Sequence, residues 1–103
     1  MNHVNLIGRM QSKPKVIKLS NGRKIVRFVL STKDTYINSK GLEKSKSNWH
    51  RIFAWGKWVQ IIENFCDDGI EVAIEGKLVS NFYKSNGSSM FYQEIEVNDL
   101  IIL

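Results

Sequence analysis

One hundred and three residues, 43% hydrophobic and 24% charged with one proline and seven glycines, read as a single small globular domain (1–103) and exclude a disordered or collagen-like chain. The net charge of +5 is unevenly spread: residues 1–57 hold thirteen Lys/Arg against two Asp/Glu, and residues 58–103 hold two against eight. A half-chain that basic attracts an anion, either a nucleic acid or an acidic membrane surface.

Residues 3–10 alternate, with Val4, Leu6, Gly8 and Met10 on one face and Asn5, Ile7 and Arg9 on the other. Both faces carry apolar groups, which predicts a strand covered on both sides, one of them by a second subunit. Pro14 interrupts the pattern, Val16, Ile17 and Leu19 resume it, and Ser20-Asn21-Gly22 is a turn signal. A second strand is predicted over residues 24–35, around Ile25, Val26, Phe28, Val29 and Leu30. Residues 37–48 are polar and basic with one glycine and are expected to form a long mobile loop. In residues 49–55, Trp49, Arg51, Phe53 and Trp55 share one strand face, and His50, Ile52 and Ala54 the other.

The period then changes. Trp58, Ile61, Ile62 and Phe65 fall at i, i+3, i+4 and i+7, the stripe of a short helix over 57–66, with Gly69 as its expected C-terminal cap. A strand follows, with Ile70, Val72, Ile74, Gly76 and Leu78 opposite Glu71, Ala73, Glu75 and Lys77. Residues 84–89 read as a hairpin loop. The last strand, 90–97, sets Phe91, Gln93, Ile95 and Val97 against Tyr92, Glu94 and Glu96, and the apolar run 100–103 continues into the core or an interface. Three strands, a helix and two strands is the order of an all-β OB-fold, a five-stranded Greek-key barrel with its helix between strands three and four.

Cys66 is the only cysteine, so no internal disulfide forms, and it reads as a small buried side chain. No apolar run approaches the ~20 residues of a membrane span, and the first residues lack a signal peptide's pattern, so a cytoplasmic place is the expectation. Metal-ligand spacings, a P-loop and nucleophile motifs are missing. No cofactor or metal is expected, and an enzyme is the weakest reading. Its candidates, Glu71, Glu75, Glu94 and Glu96, read better as a solvated or subunit-facing sheet surface.

Eleven aromatic residues occur. Phe28, Phe65 and Phe91 sit on apolar faces and read as core, as does Trp58 on the helix stripe. Tyr36, Trp49, Trp55 and Tyr83 stand beside cations: Lys33 near Tyr36, Arg51 near Trp49, Lys57 near Trp55 and Lys84 after Tyr83. Rings interleaved with cations suit unpaired bases and phosphates, because bases stack on the rings while the cations track the backbone. Packing of the same rings at an oligomer interface is the alternative. Lys40, Lys44 and Lys46 can fold over a bound strand or form only a solvated face. Arg23, Lys24 and Arg27 bracket a turn and enter the second strand. Double-stranded DNA fits less well, since the one helix carries a single basic residue, Lys57.

Several fragments together resemble the bacterial single-stranded DNA-binding protein family over nearly the whole chain. They are Met1-Asn2-x-Val4-x-Leu6-Ile7-Gly8-Arg9, Pro14 with Asn21-Gly22, Phe28-x-Leu30-Ser31-Thr32 with Tyr36, Trp49-His50-Arg51, Trp55-Gly56-Lys57, and Glu75-Gly76-Lys77-Leu78 before Tyr83. The resemblance implies a homotetramer of OB-folds, with a dimer as the other possibility, wrapped by single-stranded DNA and without a membrane partner. It implies stacking at Tyr36, Trp49, Trp55 and Tyr83, where the best-known pattern has Trp at the first and last and Phe at the third. It places Arg51 and Lys57 on the DNA surface, beside the phosphate-contact candidates Arg23, Arg27, Lys33, Lys44, Lys46 and Lys84. It puts His50 at a subunit interface and makes Val4, Asn5, Leu6, Ile7 and Arg9 part of a strand that pairs between subunits.

Asp67, Asp68, Val79 and Asn81 stand where family members often have basic residues, so the DNA path on that side is expected to be weaker. Typical members also continue through a Gly/Gln/Pro-rich linker to an acidic tip that recruits other enzymes. If 103 residues is the natural length, recruitment of that kind is not expected. A tailless OB-fold adaptor of the primosomal type, docking replication proteins, is the alternative function. The retained ring set argues against it.

Overall fold

The computed structural model describes residues 1–103, the side chain of Ser85 excepted. Its elements in chain order are β1 (Val4–Met10), β2 (Lys15–Lys18), β3 (Lys24–Ile37), β4 (Glu43–Trp55), α1 (Lys57–Phe65), β5 (Glu71–Ser85) and β6 (Ser88–Ile102). Neighbours in the sheet run β1-β5-β6-β4-β3-β2, and β1 also pairs with β3. The five strands β1, β5, β6, β4 and β3 therefore close on themselves. β1 meets β3 at Arg9↔Ser31 and Met10↔Leu30, while β2 meets the other end of β3 from Lys15↔Arg27 to Lys18↔Lys24. The two short strands thus act as one strand broken around Pro14, and α1 follows the third strand of the barrel. This is the expected OB-fold.

Closure depends on two glycines. A Cβ on Gly8 would lie 2.2 Å from the Ser31 carbonyl oxygen, and one on Gly76 2.2 Å from that of Glu96. Gly76 also sits at a register shift between β5 and β6. Bare backbone at these crossings lets strands approach where the barrel turns its corners. Inside, Met10, Val26, Leu30, Ile52, Ile62 and Val72 are fully buried. Each such side chain contributes about 1.5–3 kcal/mol relative to exposure.

The helix stripe is rotated from the expected one. Val59, Ile62 and Cys66 seat α1 on the barrel, Trp58 is half-buried against the same core, and Phe65 is 66% exposed. The C-cap is Cys66, whose N–H donates to the Ile62 carbonyl. Gly69 does take positive φ, but in the Asp67–Ile70 turn beyond the helix. Burial pushes the Cys66 thiol up from its ordinary value.

The predicted 37–48 loop is instead largely strand. β3 and β4 pair without a break from Ile25↔Trp55 to Ile37↔Glu43. Only Asn38–Leu42 turns, held by the Asn38 Oδ1, which accepts from the N–H groups of Lys40 (2.9 Å) and Leu42 (3.0 Å). The six-residue loop 84–89 likewise shrinks to Asn86-Gly87, both at positive φ (50° and 80°), the turn that suits a twisted hairpin. Both hairpins run past the barrel, and the molecule measures 54 × 36 × 29 Å. Phe91 is half-exposed on the β5–β6 arm and packs on Phe82 at 5.0 Å between centroids, so it is not core. At the C-terminal end Leu100 is buried, while Ile101, Ile102 and Leu103 are exposed. Among the described residues no helix is long and apolar enough to cross a membrane.

Candidate nucleic-acid interface

Strand parity decides which side chains meet. In β3–β4 the directly opposed pairs Ile25↔Trp55, Arg27↔Phe53, Val29↔Arg51, Ser31↔Trp49 and Lys33↔Ser47 share the outer face. β4 joins β6 in parallel at Ile52↔Ile95 and Phe53↔Glu96. That join places the outer pairs of β5–β6, namely Val79↔Glu94, Asn81↔Tyr92 and Tyr83↔Met90, beside them. The result is one continuous face built from four strands.

Three guanidinium groups lie over three rings on this face. Arg23 is 4.7 Å from the Trp55 ring centroid, Arg27 is 4.9 Å from Tyr83, and Arg51 is 4.0 Å from Tyr92. Trp49 stands further along, 62% exposed. Between the rings runs a groove of about 270 Å³ lined by Ile25, Arg27, Phe53, Trp55, Asn81 and Tyr83 among others. Phe53, its neighbour along the same face of β4, meets Trp55 edge-on at 6.4 Å between centroids.

Beneath the cations lies Glu94, 1% exposed. Its Oε1 accepts from the Tyr83 hydroxyl and, at 2.9 Å, from the Asn81 amide. Arg27 donates to the Tyr83 oxygen. Arg27 Nη2 and Arg51 Nε each stand 3.9 Å from a Glu94 oxygen. Burial pushes the Tyr83 hydroxyl above its ordinary value; the bond to Glu94 pushes the same way, and Arg27 pulls it down. The expectation that Glu94 belongs to a solvated or subunit-facing surface is therefore wrong. It points outward by parity but is roofed by the side chains of three other strands. Its neighbour Glu96 pairs with Lys77 at 3.7 Å.

Trp49, Trp55 and Tyr83 are thus brought to one face with Arg23, Arg27, Lys33 and Arg51. Tyr36 is not among them. It pairs with Lys44, and with Asp34↔Lys46, Thr32↔Asn48 and Leu30↔His50 it occupies the other side of the β3–β4 ribbon. Lys44 and Lys46 go with it. Lys84 falls on the Phe82 side of its hairpin, away from Tyr83, and Lys57 lies against Trp58 at 5.0 Å. The rings of Tyr92 and Phe53 and the anchors Asn81 and Glu94 were missed as site residues. Tyr92 had one available signal, its place across from Asn81 two residues before Glu94. The others depend on how separate strands meet.

Of the interface candidates, Asn5, Ile7 and Arg9 face outward, and Arg9 donates to the Gly69 carbonyl at 3.0 Å. Val4 and Leu6 turn inward against the core. β1 pairs along its length with β5 of the same chain, from Val4↔Gly76 to Arg9↔Glu71, which leaves Val4–Gly8 unpaired along the other edge. Ile7, Ala73 and Ile101 form an apolar strip across the outer face of β1, β5 and β6, in a concavity of about 480 Å³. It is larger than the ring groove but lacks cations over rings. His50 is half-buried, with Nε2 2.9 Å from the Thr32 hydroxyl.

Comparison with known proteins agrees with this architecture. The chain is 32% identical over 105 residues to the "Single-stranded DNA-binding protein 1" of Chlorobaculum tepidum, covering all of this chain and 65% of that protein. It thus spans just under two thirds of that relative's length. The structure superposes with a TM-score of 0.88 on a Plasmodium falciparum SSB solved in complex with ssDNA, at 30% identity, covering 100% of this chain and 95% of that one. A deletion variant of the single-stranded DNA binding protein from Thermus aquaticus matches at a TM-score of 0.87 and 20% identity, over half of its length, and shares the fold. Residues 1–103 match the Single-strand binding protein family throughout, and the chain belongs to that family.

Proposed function

We propose that this chain binds single-stranded DNA without reading its sequence and without catalysis, as one OB-fold domain spanning residues 1–103. The observation that carries the reading is the convergence of Trp55, Tyr83 and Tyr92 under Arg23, Arg27 and Arg51 on one face. Bases stack on any aromatic ring, so such a face holds a strand of any sequence, while the guanidinium groups neutralise its phosphates. Stacking falls to Trp49, Trp55 and Tyr83, and to Tyr36 where the strand turns round the ribbon. Arg23, Arg27, Lys33 and Arg51 serve the first group, Lys44 and Lys46 the second, and Lys57 and Lys84 the margins.

The outward Asn5, Ile7 and Arg9 with the open edge of β1 support assembly of several copies, a homotetramer in this reading, with His50 near the contact. The work proposed is coating exposed single strands in the cytoplasm, on the nucleoid, during replication, recombination, repair or DNA uptake.

The test is a tryptophan-fluorescence titration with oligo-dT at two salt concentrations, with mass read in parallel by light scattering. Strong quenching is expected, with an affinity that falls with salt at a slope of roughly −0.7 per neutralised phosphate, and a tetramer mass. Little quenching with a dimer mass would favour the adaptor function instead.

A further inference from the structure

Glu94 poses a problem that the binding reading leaves open. A carboxylate set into a face that takes a polyanion repels that ligand, and burying it costs stability unless it is fully partnered. Yet Glu94 is 1% exposed and roofed by the residues assigned to the strand. Its two oxygens serve four partners. Tyr83 and Asn81 donate to Oε1, Arg27 Nη2 stands 3.9 Å from the same oxygen, and Arg51 Nε stands 3.9 Å from Oε2. Arg27 also donates to the Tyr83 oxygen, so donor bonds run from guanidinium to phenol to carboxylate.

Building on the single-strand reading, we propose that Glu94 is a positioning residue of the binding face: without touching DNA, its carboxylate fixes Tyr83, Arg27 and Arg51 in the arrangement that receives the strand. Apart from Glu94, the two guanidinium groups rest on ring faces, which hold them against a plane but not in direction. Arg27 and Arg51 have side chains 27% and 43% exposed. Long basic side chains lose much rotamer freedom when ordered, and a site that orders them before the ligand arrives binds more tightly. One carboxylate anchors both guanidinium groups and, through the hydroxyl, the plane of the Tyr83 ring. The hydroxyl is a donor throughout the neutral range, and its raised titration extends this further into alkaline pH.

The sign of one substitution separates this from plain charge. Glu94→Gln keeps the shape and an oxygen that still accepts from Tyr83, but it releases the guanidinium groups. Positioning predicts oligo-dT binding about tenfold weaker, the loss typical of a charge-assisted contact. Removal of a negative charge alone predicts tighter binding. Glu94→Asp keeps the charge but withdraws it by one methylene, and it weakens binding as well. Tyr83→Phe keeps the ring and removes the hydroxyl; about a threefold loss is expected. Because Arg27 is tied to Glu94 partly through the Tyr83 hydroxyl, the two losses overlap, and Glu94→Gln with Tyr83→Phe is weakened by less than the product of the single losses.

The experiment is the same fluorescence titration on all five proteins, with melting temperature and mass confirming the fold. Wild-type affinity or better in Glu94→Gln and Glu94→Asp would overturn the proposal, as would losses that multiply in the double variant. If the Glu94 variants do not fold, Tyr83→Phe decides alone, and unchanged affinity there overturns it. A wild-type protein that ignores oligo-dT removes the binding reading together with this one. Wild-type binding with unaffected variants removes only this one.

Discussion

Tyr36 and Trp49 stand on opposite sides of the same two-stranded ribbon. Tyr36 pairs with Lys44, Trp49 pairs with Ser31, and the unbroken register between them leaves no bulge to turn either ring. A strand lying along Trp49, Trp55 and Tyr83 therefore reaches Tyr36 only by passing round the ribbon. The two rings are expected to respond differently to ligand length. Trp49→Ala weakens binding of an oligo-dT of about 8 nucleotides and one of about 30 alike, by about 1–3 kcal/mol, the usual value of one stacked base. Tyr36→Ala leaves the short ligand unaffected and weakens only the long one. Equal losses for both ligands in Tyr36→Ala would place all four rings on one path.

Arg51 and Tyr92 form the tightest cation–ring pair on the face, at 4.0 Å. Tyr92 also lies 5.7 Å from Tyr83, so the two rings support one another. Truncating Tyr92 removes the surface on which Arg51 rests and one wall of the Tyr83 site. We expect Tyr92→Ala to weaken oligo-dT binding by about 1 kcal/mol. The salt slope should stay close to that of the wild type, because no charge is lost. Arg51→Ala should lower the slope as well as the affinity, by about 0.7 for its one phosphate. A titration at several salt concentrations separates the two effects.

The parity of Trp49, Arg51, Phe53 and Trp55 was legible because a seven-residue run already shows period two, with the alternate face apolar. The barrel order was legible for the same reason, together with the single change of period at the helix. The outer halves of β3 and β4 were not. Lys33–Ile37 and Glu43–Asn48 are exposed on nearly every residue, so no buried face imposes an apolar alternation. Only the Asn38 and Gly41 turn chemistry marks them as a hairpin. Phe65 and Val59 show the converse failure, since neighbouring apolar residues on a short helix fit two stripes and only the barrel selects one. Glu94 was illegible because its burial is made not only by Tyr83 of its own hairpin but by Arg27 and Arg51, from two strands distant in sequence.

Gly8 and Gly76 offer a direct check on how the barrel closes. Alanine at either position would place a methyl group 2.2 Å from a carbonyl oxygen of the facing strand. Backbone, unlike a flexible side chain, does not yield to such a contact without moving the strand. Each substitution is expected to destabilise the fold by about 1–3 kcal/mol or more. Gly22, by contrast, has open space around its Cβ position, and its positive φ of 85° makes alanine there strained in the turn alone. Chemical denaturation of Gly8→Ala, Gly76→Ala and Gly22→Ala compares them. A Gly76→Ala protein as stable as the wild type would mean that β5 and β6 do not approach as closely as described.

The hydroxyl of Tyr83 supplies a spectroscopic signal from inside the site. Burial raises its titration above the ordinary tyrosine range, and the bond it donates to Glu94 adds to this. The neutral hydroxyl is the form the folded state favours. Its contribution to stability is therefore fully present below the ordinary tyrosine value, and it is lost as pH rises through that value towards the higher folded one. An alkaline titration followed by phenolate absorbance should show a late step in the wild type that is missing in Tyr83→Phe. In Glu94→Gln that step should move to lower pH, because the phenolate no longer faces a carboxylate. Binding of oligo-dT should persist until the same late step. Deprotonation then ends the donor bond, brings two negative charges together and drives the ring and Glu94 apart. A Tyr83 that titrates with free tyrosine would show that its hydroxyl is solvated and not bonded to Glu94.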